Sequence, residues 1–148
     1  MGTILDTTVF IDLERHARRR QRGDVGALIA EHLADVLEPN EEIAIATITA
    51  SELLHGVHRA TPEHRPRREA FVEAILSAIP ALPFDLLTAR AHSRIWAELT
   101  ATGKEVGPHD RLVAATAIST GWQVATANLR DFNRVPGLRV IEIGPTGR

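Results

Sequence analysis

The sequence predicts an α/β fold, a three-layer α/β/α sandwich around a mostly parallel five-stranded sheet. Three observations carry this. Five short apolar runs, several of them β-branched, are spread along the chain; the segments between them repeat apolar residues at helical spacing; and cap or turn residues stand where one passes into the other. Strands that alternate with helices need crossover connections, and crossovers place helices on both faces of a parallel sheet. At 148 residues the chain has the length of one domain, expected to span 1–148, with a frayed tail over 144–148.

Thr3-Ile4-Leu5 is the first strand, and it runs into Asp6-Thr7-Thr8, a helix-capping cluster ahead of Val9-Phe10-Ile11-Asp12-Leu13. A polar, Arg-rich connector is expected next. Gly23-Asp24 then opens a helix with Val25, Leu28, Ile29, Leu33, Val36 and Leu37 on its apolar face, ending near Pro39-Asn40. Ile43 to Ala46 is the second strand, and Thr47 to Ser51 lead into a helix carrying Leu53, Leu54 and Val57. Thr61-Pro62 stops that helix, Arg65 to Ile79 forms another, and Ala81 to Phe84 is a third strand whose proline assigns it to a sheet edge. Asp85 begins a helix that ends at Gly103, and Gly107-Pro108 begins one that ends at Gly121, a proline at the start and a glycine at the stop being the expected polarity. Gln123 to Thr126 is the fourth strand, Asn128 to Phe132 a short helical turn, and Leu138 to Ile141 the fifth strand.

Composition removes whole classes of chemistry. There is no cysteine, which excludes disulfides, thiolate metal sites and cysteine nucleophiles. The longest stretch without a charge, Leu112 to Leu129, is interrupted by Thr116, Ser119, Gln123, Thr126 and Asn128 and is too polar to span a bilayer. The start of the chain lacks a basic segment and is cut by Asp6, so no signal peptide is expected, and the location is read as cytoplasmic. The net charge of −2 argues against a general nucleic-acid binder. Of 17 basic residues only Lys104 is not arginine, and Arg15, Arg18, Arg19, Arg20 and Arg22 crowd one short segment, where guanidinium forks suit phosphate. A solvated face in an arginine-rich composition explains that crowding equally well.

In a parallel sheet, chemistry collects where loops and helix N-termini meet at the carboxyl ends of the strands. Asp6 follows the first strand, Glu52 lies early in the helix after the second, Asp110 is in the first turn after Pro108, and Asn128 and Asp131 follow the fourth. Singly, each has a local explanation. Asp6 is a helix cap, Glu52 pairs with Thr49 in a capping box, Asp110 favours a helix dipole, and Asn128 and Asp131 cap a short helix. Jointly those explanations are weak, because each needs its own reason for an acid at the same end of the sheet. A set of hard oxygen ligands suits Mg²⁺, or Mn²⁺ in its place.

Four segments then carry a resemblance over nearly the whole chain: Leu5 to Asp12, Thr49 to Val57, Val106 to Ala115 and Ala125 to Phe132. In this order and spacing they resemble the PIN-domain ribonucleases, and among these the VapC toxins of VapBC toxin–antitoxin pairs. The resemblance implies a PIN-like fold. It also implies that Asp6, Glu52 and Asp110 bind metal, that Thr8 fills the family's adjacent hydroxyl position on the substrate side, and that Asn128 stands at the fourth acidic position. There the chain departs from the pattern, with Asp131 three residues on. The implied activity is a Mg²⁺-dependent endoribonuclease that cuts a structured cellular RNA to a 5′-phosphate and a 3′-hydroxyl. Its implied partners are a small VapB-like antitoxin and a second copy of the chain in a homodimer. Arg15, Arg18, Arg19 and Arg20 are then candidate RNA contacts, and Asp131 the candidate for the missing charge, with Asn128 orienting water or RNA. The rival reading is a non-catalytic module with a degenerate metal site that binds RNA or a partner, motivated by Asn128. Other motifs fail: position 98 is Glu where a phosphate-binding loop needs glycine, and Glu52-Leu53-Leu54-His55 is a single copy of an element that di-iron bundles use twice.

Overall fold

The computed structural model describes residues 1–20 and 24–144, without the side chains of 18–20. Its elements are β1 (Gly2–Leu5), α1 (Thr7–Arg20), α2 (Val25–Leu33), β2 (Glu42–Ala46), α3 (Thr47–Arg59), α4 (Arg65–Ala78), β3 (Ala81–Leu82), α5 (Leu86–Thr102), α6 (Pro108–Thr120), β4 (Gln123–Thr126), α7 (Leu129–Phe132) and β5 (Val140–Glu142). The five strands form one sheet in the order β3-β2-β1-β4-β5, and every pairing is parallel. β3 is an edge, as Pro83 requires.

Alternation along the strands divides the core in two. Leu5, Ile45 and Ala125 face a cluster built from Val9, Phe10 and Leu13 of α1, Leu28 and Ile29 of α2, Leu53 of α3, and Phe71 and Ile75 of α4. Ile4, Ala44 and Val124 face the other cluster, with Ala91, Ile95 and Leu99 of α5, Val113, Ala114 and Ala117 of α6, and Phe132. The crossovers on either side of β1 therefore use opposite faces, and the strand order reverses there. This leaves a crevice outside the carboxyl ends of β1 and β4, the place where open α/β sheets bind ligands.

Two helix boundaries differ from the sequence reading. The Arg-rich connector is instead the second half of α1, which runs to Arg20. Ala17 continues the apolar face four residues after Leu13, and arginine is a strong helix former. Conversely, α2 stops at Leu33, and the amides of Val36 and Leu37 both return to the Leu33 carbonyl in a tight turn. β5 lies two residues later at its start than expected. Arg22 and the tail residues 145–148 lie outside the described residues.

Candidate active site

Three helices begin at the carboxyl ends of strands or in loops at that end of the sheet, and each brings one acid. Asp6 joins β1 to α1 with no spacer; its amide donates to the Ala125 carbonyl at 3.0 Å, continuing the β1–β4 ladder, and the residue is 3% exposed. Glu52 lies in the second turn of α3, which follows β2 directly. Asp110 is in the first turn of α6 after Gly107-Pro108, where proline at the start of a helix loses no hydrogen bond. Arg111 donates to the Val106 carbonyl (2.7 Å) and Arg134 to the Glu105 carbonyl (2.8 Å), fixing the loop that leads into that helix.

Threonine hydroxyls hold the carboxylates. Thr8 and Thr126 both donate to Asp6 Oδ2, at 2.8 and 2.9 Å, and Thr7 donates to Glu52 Oε1 at 2.9 Å. Nδ1 of the exposed His109 lies 3.5 Å from Glu52 Oε2. Asn128 is the residue before α7 but makes no side-chain cap; its amide nitrogen donates to Asp131 Oδ2 at 3.0 Å. Arg134 lies 3.9 Å from Asp131 Oδ1. A capping box with Thr49, one of the local explanations open for Glu52, does not form: Thr49 lies inside α3, its buried hydroxyl has no described partner, and Glu52 accepts from Thr7. Thr8 spends its hydroxyl on Asp6 and on the Ala127 amide, 3.0 Å away.

Asp110 is affected both by burial and by the acids around it. Burial first, then the charges of Asp6, Asp131 and Glu52, push its carboxyl up from 3.8 to about 6, with His109 pulling weakly the other way. The charges of Asp6, Asp131 and Glu52 thus all reach Asp110. Among the described residues, however, no three of the Asp, Glu or His side chains converge as the ligands of one ion. An excess of hard oxygen donors with no Lys or Arg ion pair described to Asp6, Glu52 or Asp110 fits a divalent cation, and binding one requires these side chains to close on it. The cluster lines neither of the two described cavities, one of about 410 Å³ beside α2 and one of about 350 Å³ beside Phe84. Arg15 is exposed on α1, and Arg18, Arg19 and Arg20 continue that helix, their side chains lying outside the described ones. Thr7 and Thr126 were not singled out by the sequence. The available signal for Thr126 is its position, a hydroxyl at the last residue of a strand that ends in the crevice.

The parallel sheet carries acids at its strand-order reversal, and residues 3–138 match the PIN domain. The chain belongs to the PIN-domain family, whose nucleases generally depend on a divalent metal. It is 35% identical over 144 residues to "Ribonuclease VapC1" of Rickettsia felis, covering 97% of each chain. It is 38% identical over 112 residues to the "tRNA(fMet)-specific endonuclease VapC" of Salmonella typhimurium, covering 74% of this chain and 83% of that one. Among solved structures, the DNA-bound VapBC of Salmonella typhimurium aligns with a TM-score of 0.76 at 28% identity, covering 97% of this chain and 99% of the other.

The raised Asp110 carboxyl has a consequence for stability. It binds its proton more tightly in the folded chain than in the unfolded one, so stability falls as pH rises from about 4 to about 6 and stays lower above that. In EDTA at pH 7.5, Asp110→Asn is therefore expected to be more stable than wild type by about 1 kcal/mol after solvent screening, a rise in Tm of about 2–4 °C. The gain should vanish near pH 4. A Tm difference that does not change with pH would contradict the raised Asp110 carboxyl.

Proposed function

We propose that this chain is the endoribonuclease toxin of a type II toxin–antitoxin pair. It hydrolyses phosphodiester bonds in a structured cellular RNA with Mg²⁺, for which Mn²⁺ substitutes. The observation that carries the reading is the meeting of Asp6, Glu52, Asp110 and Asp131 at the strand-order reversal of a PIN fold. The VapC names of the relatives support the substrate class. The VapBC complexes among the structural neighbours support a small VapB-like antitoxin.

Asp6 and Asp110 would hold the ion, and Glu52 and the Asn128–Asp131 corner would complete the charge around it. When bound, Mg²⁺ supplies charge compensation at the phosphate and activation of the attacking water. Thr8 and Thr126 fix the Asp6 carboxylate, and Thr7 fixes that of Glu52, so little reorganisation remains at the moment of reaction. Asn128 holds Asp131 and keeps its charge beside Asp110. No side chain needs to act as a nucleophile, and the expected ends are a 5′-phosphate and a 3′-hydroxyl.

Asp6→Asn and Asp110→Asn should each lower Mg²⁺-dependent cleavage of total RNA by at least about 100-fold, the scale of a lost charge-stabilising group, without loss of fold. In the same metal titration Asp131→Asn should raise the Mg²⁺ concentration for half-maximal rate, and Asn128→Asp should lower it or leave it unchanged. Retained turnover in either of the first two variants would overturn the mechanism. RNA binding by wild type without any Mg²⁺-dependent cut would favour a non-catalytic module, the reading that Asn128 invites.

Arg15, Arg18, Arg19 and Arg20 are proposed phosphate contacts of the RNA. Replacing Arg18, Arg19 and Arg20 together by Ala should flatten the log–log salt dependence of RNA binding by roughly 0.7–0.9 per lost contact, and an unchanged slope would return them to a solvated face. The chain is further proposed to work in the cytoplasm as a homodimer. The dimer is supported by Phe84, Leu86, Leu87 and Trp96 at the β3–α5 edge, which are 44%, 68%, 61% and 54% exposed. Sedimentation should find a dimer that Leu87→Asp weakens; a wild-type monomer at all concentrations would refute it.

A further inference from the structure

Thr126 ends β4 and is fully buried, yet the metal reading gives it no ligand role. Its hydroxyl has one proton and room to accept. The proton goes to Asp6 Oδ2 at 2.9 Å, and the oxygen accepts the amide of Asn128 at 2.8 Å. Thr8 does the same one residue away, donating to Asp6 Oδ2 and accepting the amide of Ala127. The two hydroxyls thus tie the turn after β4 to the carboxylate after β1. Both engage Oδ2, and no hydrogen bond described reaches Oδ1, the oxygen left for a cation. Beyond the turn, the Asn128 side chain holds Asp131. One buried oxygen therefore links the acid of the central strand to the corner where this chain carries Asn in place of an acid.

We propose that Thr126 is a positioning residue of the cation centre, whose hydroxyl sets the orientation of Asp6 and its separation from the Asn128–Asp131 corner. This rests on the metal-dependent reading above. Groups one step removed from a metal that orient its ligands are typically worth about 10–100-fold in metal affinity. Thr126→Val keeps the shape, removes a donor from Asp6 and leaves the Asn128 amide without its acceptor. Thr126→Ser keeps the hydroxyl, and Thr126→Cys offers only a weak donor in a chain with no other thiol to pair with.

The test is Mn²⁺ binding followed by electron paramagnetic resonance, with circular dichroism of each variant in EDTA. Mn²⁺ affinity is expected to fall by about tenfold or more in Thr126→Val and to stay within about threefold of wild type in Thr126→Ser. Should the valine variant fail to fold, Ser and Cys carry the comparison, with Ser retaining the affinity and Cys losing it. Wild-type affinity in a folded Thr126→Val, or equal losses in Ser and in Val or Cys, would overturn the inference while leaving the metal reading intact. Failure of wild type itself to take up Mn²⁺ would overturn both.

Discussion

Like charges held together at one edge of a parallel sheet are the constraint on which this molecule turns. Burial, and then the charges of Asp6, Asp131 and Glu52, push the Asp110 carboxyl up to about 6, and no Lys or Arg ion pair to Asp6, Glu52 or Asp110 is described. An arrangement of this kind is destabilising unless something else fixes the backbone. Here the fixing comes from two apolar layers, one on each face of the sheet, and from the Asp6 amide bonded across to β4. The stability of the layers offsets the repulsion in the crevice, a common relation between core and functional site.

The division of labour follows from topology. Because the strand order reverses at β1, helices of opposite faces deliver their N-terminal turns to the same crevice: α1 and α3 from one face, α6 from the other. Helix N-termini favour negative charge, which moderates the crowding without neutralising it. Hydroxyls complete the arrangement at short range. Thr7, Thr8 and Thr126 each spend their proton on a carboxylate, so the side chains are oriented by groups that bring no competing positive charge.

Much of this was legible in the sequence because it depends on order and period. The strands were readable as short apolar runs, and the acids by their place just after them, since a parallel sheet sends all its strand ends to one side. The Arg-rich half of α1 is not legible from its polarity, because helix propensity prevails there and Ala17 keeps the apolar period. The end of α2 is hidden for the opposite reason: Val36 and Leu37 keep the period while the chain turns at Leu33. Thr126 was illegible because a threonine in a strand is unremarkable, and its role appears only when β1 and β4 are seen to be neighbours although 120 residues separate Asp6 from Thr126. The capping box of Thr49 and Glu52 failed on the same ground, since a competing donor, Thr7, arrives from 45 residues away.

The proposed closing of the acidic crevice between β1 and β4 on a divalent cation can be seen in crystals of the protein grown with Mn²⁺, with diffraction measured at the manganese absorption edge. An anomalous peak is expected between the carboxylates of Asp6 and Asp110, within reach of Glu52. No peak at that position in crystals of an active protein, or a peak bound elsewhere on the chain alone, would contradict it.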